Sequence, residues 1–370
     1  MIKGRVVTPD RVTPGRVIVA DDRITAIDAG DPGDGHWIVP GFVDLHNHGG
    51  GGHAFTAGHI DAARRAAAFH LRHGTTTLLA SLVSGPYERT MAAIAGLAPL
   101  VDSGVLAGVH LEGPYLSPLR RGAHDPAYLR HPSDAELTAL VGACRGAVRM
   151  VTLAPELTGA LEAIRLLADR GVVAALGHTD ASYAETRAAI AAGARVATHL
   201  GNAMPPLHHR EPGPLLALLE APDVVCEVIA DGVHLHERML AFIARVAGPR
   251  RVALVTDATA AAGMPDGAYD LAGRPVVVAG GVARLAVPGS GAGGVLAGST
   301  LTMDAALRGA LAAGVSMVDA VRMAATTPAR VLGLDGEVGA LSVGLQADLV
   351  VLDHSLQVLR VMRAGQLVAP

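Results

Sequence analysis

The sequence predicts an α/β protein: a (β/α)8 TIM-type barrel with a small β-sandwich domain formed from both chain termini. Three observations predict it. From residue 41 onward, short apolar runs alternate with Ala/Leu-rich helical stretches, which is the rhythm of parallel βα units. The apolar runs number eight, the count of a closed barrel; a doubly wound open sheet is the alternative that such alternation allows. Both ends of the chain instead show short β-branched runs broken by turn signals. Residues 1–40 plus 341–370 are therefore expected to form the small β-domain and 41–340 the barrel.

At the N-terminus, GRVV, TPDRVTPG and RVIVADDRITAI suit a small antiparallel sheet. The barrel strands read PGFVDL (40–45), TTTLLA (75–80), VLAGVHL (105–111), VRMVTL (148–153), VVAALG (172–177), RVAT (195–198), VVCEVIA (224–230) and RVALVT (251–256). Helical segments between them include DAARRAAAFHLRHG, DAELTALVGACRG, GALEAIRLLADRG, AETRAAIAAG and ERMLAFIARVAG. Gly74, Gly146, Gly171, Gly193 and Gly248 stand where such helices are capped. After strand eight, GRPVVVAGGVARLAV reads as an inserted hairpin with GG as its turn. STLTMDAALRGALAAG and SMVDAVRMAATTPARVLG read as helices. The last β-runs, in ADLVVLDHSLQVLRVMRAGQLVA, are expected to rejoin the N-terminal sheet.

Composition bounds the function. Of 370 residues, 50% are hydrophobic, enough for a sizeable core. A net charge of −4 argues against nucleic acid as a partner and against a polybasic membrane anchor. No apolar run reaches the ~18 residues of a membrane span, and MIKGRVVTPD has no secretory h-region. Cys144 and Cys226 make no disulfide framework. A cytoplasmic protein is the expectation.

The residues at the strand ends carry the chemistry. Strand one ends in His46-Asn47-His48, strand three in Glu112, strand five in His178, strand six in His199, strand seven in Asp231 and strand eight in Asp257. In a barrel these positions open onto the C-terminal face, where catalytic groups of this fold sit. Residues i and i+2 of an extended strand point the same way, the geometry that two ligands such as His46 and His48 need. One strand-end His is ordinarily structural, and one strand-end Asp ordinarily a helix cap. Their recurrence at successive strand ends points to a divalent metal, with Zn2+, Fe2+ or Mn2+ suited to imidazole and carboxylate donors. Asp257 is placed to act as general acid/base, and Glu112 to ligate one metal or bridge two. Lys3 is the only lysine, so a carbamylated lysine cannot bridge a metal pair inside this barrel. Hydantoinase-, urease- and dihydroorotase-type sites are therefore poor candidates.

The motifs PGFVDLHNHGGGG, HLEGPYLSP, GAHDP, LGHTDA, ATHLGNAMPP with HREPG, VIADGVHLH, LVTDA and LAGSTLTM occur together along nearly the whole chain. In this order they resemble the N-acetylglucosamine-6-phosphate deacetylases of the amidohydrolase superfamily. The resemblance implies deacetylation of N-acetyl-D-glucosamine 6-phosphate to D-glucosamine 6-phosphate and acetate, in amino-sugar catabolism and cell-wall recycling. It implies Glu112, His178 and His199 as metal ligands and Asp257 as the general acid/base. It implies Ala123 and His124 as sugar contacts, and Asn202 and Ala203 as donors to the phosphate. Arg210 matches the phosphate-binding arginine, accompanied by Asp231 and His234 of ADGVH. Leu296, Ala297 and Gly298 match a loop lining the substrate pocket.

Many members carry Gln and Asn where this chain has His46 and His48, and those members look mononuclear. Both histidines here allow a second cation on His46, His48, Glu112 and Asp257. The resemblance thus implies one or two divalent cations per subunit, Zn2+ first, with Fe2+, Mn2+ or Co2+ as alternatives. The family also implies a homodimer with the phosphate site near its interface. The partner is a small amino-sugar phosphate, not a nucleic acid or a membrane. Competing readings are N-acetylgalactosamine-6-phosphate deacetylation, hydrolysis of N-acyl-amino acids, and a non-catalytic scaffold barrel. The remaining histidines, His36, His53, His59, His70 and His73, read as structural or surface, and His208-His209 as loop variation.

Overall fold

The computed structural model describes residues 1–287 and 294–368; residues 288–293, within the 41–340 assignment, and 369–370, the end of the 341–370 assignment, lie outside the described residues. Eight parallel strands form one sheet: Phe42–Asp44, Thr75–Val83, Gly108–Glu112, Val148–Leu153, Val173–Leu176, Val196–Ala197, Val225–Ile229 and Val252–Val255. Neighbours in sequence are neighbours in space, the order of successive βαβ units around a barrel. All eight predicted strands are present. Most of their residues are buried, because helices cover the outside and side chains fill the inside.

The first and last strands meet through a parallel bridge between Asn47 and Ala258. There the Asp257 N–H donates to His46 O and the His48 N–H to Ala258 O, both at 2.8 Å. The seam that closes the barrel is thus made by the residues flanking the candidate ligands.

A helix follows each strand: Ile60–Arg72, Tyr87–Asp102, Asp134–Gly142, Ala160–Asp169, Tyr183–Ala192, Gly213–Glu220, Glu237–Ala247 and Met303–Ala312. Tyr183–Ala192 shows why such a stretch folds locally. Ser182 and Glu185 form a capping box at its start, and Gly193 at φ 126° ends it. Two of the helices went unread in the sequence. Tyr87–Asp102 contains Pro99, and Gly213–Glu220 starts on Pro212-Gly213-Pro214, so breaker residues hide both. The predicted helix over SMVDAVRMAATTPARVLG is interrupted. Met317–Val321 and Thr327–Val331 flank a π-helical turn at Arg322–Thr326, which accommodates the missing N–H of Pro328.

The inserted hairpin is larger than expected. Arg274–Ala279 and Val282–Leu285 pair as predicted, and Gly267–Leu271 adds a third strand. Cys144 lies in a short turn at φ 51° beyond the helix predicted to contain it. Strands from both ends form one seven-stranded sheet in which Leu349–Leu352 pairs with Trp37–Pro40. Val6, Val17, Ile24, Ile38, Leu341 and Leu349 give that sheet a core of its own. Among the described residues, no helix is long and apolar enough to cross a membrane.

Candidate active site

Each candidate ligand sits at or just beyond a strand end. Glu112 is the last residue of its strand, while His178, His199 and Asp257 come two residues past theirs, at φ 49°, 29° and 48°. This left-handed conformation costs a non-glycine residue about 1 kcal/mol, and it recurs here at three ligand candidates. Beside Asp257, only glycine fits at 298. A Cβ there would lie 2.6 Å from Thr259 Cγ2 and 2.8 Å from Asp257 O, and φ is +59°.

The side chains converge. Glu112 Oε1 lies 3.0 Å from His178 Nε2, 3.1 Å from His199 Nε2 and 3.5 Å from His46 Nε2. Glu112 Oε2 lies 3.2 Å from His48 Nε2. Asp257 Oδ1 lies 3.3 Å from His48 Nε2 and 3.5 Å from His46 Nε2. All six side chains are at least nine-tenths buried as residues. Glu112 therefore stands between two half-sites, one with His178 and His199, the other with His46, His48 and Asp257.

The donor set fits a divalent cation. His178 Nδ1 donates to Arg120 O at 2.8 Å, His48 Nδ1 to Ser81 O at 3.2 Å, and His46 Nδ1 to Glu227 Oε2 at 3.3 Å. Each bond puts the hydrogen on Nδ1 and leaves the Nε2 lone pair pointing inward, the usual arrangement behind a metal-bound imidazole. His46 and His48 then face each other Nε2 to Nε2 at 3.0 Å, and His178 and His199 at 3.1 Å. The two lone pairs that His46 and His48 turn on each other need a proton or a shared cation between them, and a divalent cation meets that need for both rings.

Electrostatics agree. Burial opposes charge on every member, yet the charge on His46 and the hydrogen bond from His124 hold the Glu112 carboxyl well below its usual range, and His46 with His48 lowers Asp257. Burial alone would lower His48, but Asp257 and Glu112 raise it to about 9. His46 rises well above its ordinary value against burial, driven by Glu112 and Asp257. The carboxylates thus draw positive charge onto the rings, as protons in the metal-free chain and as a cation where one binds.

Beneath it, the buried Asp44 carboxylate ties the closing seam. It accepts from Thr256 Oγ1 at 2.6 Å, from Asn47 Nδ2 at 3.0 Å and from the Thr256 and His46 N–H groups. Burial raises its pKa and these donors oppose the rise. Asn47, between the two histidines, thus clamps rather than ligates.

A profile of the amidohydrolase family matches residues 37–368. The chain belongs to the amidohydrolase family. It is 40% identical over 339 residues to an N-acetylgalactosamine-6-phosphate deacetylase of Escherichia coli O157:H7, covering 90% of this chain and 88% of that protein. It is 37% identical over 339 residues to an N-acetylglucosamine-6-phosphate deacetylase of Vibrio furnissii, covering 90% and 82%. Among solved structures, a mutant N-acetyl-D-glucosamine-6-phosphate deacetylase of Mycobacterium smegmatis, in complex with N-acetyl-D-glucosamine-6-phosphate, superposes with a TM-score of 0.94. It is 47% identical, with 99% of this chain and 97% of that one covered. This amidohydrolase is a metal-dependent hydrolase.

Above the cluster of this amidohydrolase opens a cavity of about 390 Å³. Ala123, His124, Asn202, Ala203, His234, Leu296 and Gly298 all reach its wall. Three other expected residues do not. Asp231 lies behind His234, accepting from its Nδ1 at 2.7 Å and from its backbone N–H at 2.8 Å. Ala297 is fully buried, packed with the inserted strands. Arg210 is exposed on its own loop and bonds His209 Nε2 at 2.8 Å, away from the cavity wall. His208 Nδ1 accepts the Arg210 and Glu211 N–H groups, so the histidine pair shapes that loop.

Sequence reading missed several site residues. Arg274, from the inserted strands, lines the cavity and donates to the carbonyls of Ala123 and His124 at 2.8 and 2.9 Å. His110 packs edge-on against His46, ring centroids 4.6 Å apart. Glu227 holds His46 from behind. The last two had a signal: a charged or imidazole side chain in mid-strand between apolar neighbours.

Proposed function

We propose that this amidohydrolase hydrolyses the acetamide of N-acetyl-D-glucosamine 6-phosphate, releasing acetate and D-glucosamine 6-phosphate. The observation that carries the reading is the joining, in one cavity, of a cation-binding floor with walls holding Asn202, Ala203 and His234. The similarity to amino-sugar phosphate deacetylases over nine-tenths of the chain supports it.

Glu112, His178 and His199 would hold one divalent cation, and His46, His48, Glu112 and Asp257 a second. Zn2+ suits these nitrogen and oxygen donors, with Fe2+, Mn2+ or Co2+ as alternatives. Such a cation supplies an acidified water and polarises the acetyl carbonyl. The chain does the rest. Asp257 Oδ1 takes a proton from the attacking water and passes it to the leaving amine. With Glu112 Oε2 engaged by a cation, His124 would turn its Nε2–H from that carboxylate to the sugar. Asn202 and the Ala203 backbone direct donors at the phosphate, and Arg210 supplies a planar fork suited to a phosphate dianion.

The exposed position of Arg210, off the cavity of its own chain, supports a homodimer in which it serves the neighbouring site. The free cysteines Cys144 and Cys226 support a reducing, cytoplasmic setting.

Acetate release from N-acetylglucosamine with and without the 6-phosphate tests the substrate. Equal rates on both would reject it. The 40% identity to an N-acetylgalactosamine-6-phosphate deacetylase favours one second reading, the galacto epimer. The ratio of kcat/KM on the two sugar phosphates decides between them.

A further inference from the structure

We propose that Glu227 is a positioning residue that commits His46 and His48 to a second divalent cation. The proposal deepens the metal-dependent reading above and rests on it. Barrel interiors of this fold are filled mainly by Val, Ile and Leu. Glu227 instead places a carboxylate in the middle of the strand Val225–Ile229, with no exposure to solvent.

Its contacts are specific. Oε2 accepts from His46 Nδ1 and from the His199 backbone N–H, each at 3.3 Å. It thus touches one ligand of each half-site. Oε1 is buried with no hydrogen-bond partner among the described residues. No arginine or lysine there forms an ion pair with it, and His46 is its one ion-pair partner. Asp44, the other buried carboxylate near the seam, differs in accepting four donors.

Positive charge therefore reaches Glu227 through the His46 ring, carried by a proton on Nε2 in the metal-free chain and by a cation there once metal binds. A cation on Nε2 polarises the ring, and the Nδ1–H to carboxylate bond becomes charge-assisted. With cations on their Nε2 atoms the ring ligands are neutral, and three carboxylates, Glu112, Asp257 and Glu227, surround them. One divalent cation leaves that assembly negative. Two divalent cations with a hydroxide between them bring it to neutrality, which a dry interior favours. A strand-one pair without Glu227 lacks this demand, so the residue acts on occupancy of the second site rather than on the first.

The test counts metal in the full-length protein. Elemental analysis and calorimetric titration with Mn2+ should give two equivalents per chain for the wild type. Paramagnetic resonance should show the signature of a spin-coupled Mn2+ pair. In Glu227→Gln the second equivalent should weaken by about 10- to 100-fold, as loss of such supporting partners does, and the coupled signal should vanish. The first equivalent should stay. Glu227→Asp, which keeps the charge but shortens the reach, covers the case in which the glutamine variant fails to fold; it should show the same loss in lesser degree. Two equivalents of unchanged affinity in either folded variant, or one equivalent in the wild type, would overturn the proposal. A protein that holds two equivalents yet releases no acetate would instead overturn the deacetylase reading and leave this one standing.

Discussion

His124 and Glu112 meet at 3.2 Å, Nε2 to Oε2, and the backbone of Ser84 decides which of them donates. His124 Nδ1 accepts the Ser84 N–H at 3.3 Å and lies 2.9 Å from Ser84 Oγ, a hydroxyl that can also donate to it, so the hydrogen sits on Nε2. Burial, helped by His178 and His48, pushes His124 down to about 4 despite Glu112, so the ring is neutral near pH 7. His46, His48 and His178 have the opposite tautomer, with lone pairs turned inward. One of the clustered rings is a donor among ligands.

Replacing that donor should hurt turnover and spare the metal. His124→Ala is expected to lower kcat by about 10²-fold, the cost of one positioned donor, at full metal content. Elemental analysis alongside initial rates checks this. Loss of a metal equivalent would make His124 a ligand and reject the tautomer argument.

Asp257→Asn is expected to keep the cation on Glu112, His178 and His199 and to lower kcat by about 10²-fold or more, because an amide cannot shuttle the proton. An unchanged kcat would remove Asp257 from proton transfer.

Arg210→Ala should raise KM for the sugar phosphate far more than Lys3→Ala does. Both residues are exposed on their own chain, so their difference measures what Arg210 does for phosphate binding. Equal KM values in the two variants would count against that role.

Acid should destabilise the fold through His70. The ring is buried, its Nε2 donates to Gly49 O at 2.9 Å, and burial pushes its pKa down to about 4. An unfolded histidine takes its proton near pH 6.5. Stability from the neutral ring is therefore complete above that value and is lost as pH falls toward 4. Between pH 7 and 5 the loss is about 2 kcal/mol. Urea unfolding of wild type and His70→Gln at both pH values measures it, and identical pH slopes in the two proteins would exonerate His70.

The barrel strands and most of their helices were legible because hydrophobic periodicity is a local property. So was the set of strand-end residues, since a side chain two positions past a strand inherits its place from that strand. The inserted third strand was less legible. Gly267–Leu271 is largely exposed, and an exposed strand shows little apolar patterning.

By itself, then, the sequence determined eight strands, the His and carboxylate residues at their ends, and the exclusion of a lysine-bridged metal pair, all of them matters of residue type and spacing. Only the tertiary structure decided how those residues meet. The Asn47–Ala258 bridge brings His46 and His48 to Asp257 across the closing seam. Partners distant in sequence, Ser84, Ser81, Arg120 and Glu227, fix which nitrogen of each ring is free. Arg210, next to the site in motif order, ended off its wall. The physical reason is common to all three. A hydrogen bond depends on register around the closed barrel, and no local pattern of residues encodes that register.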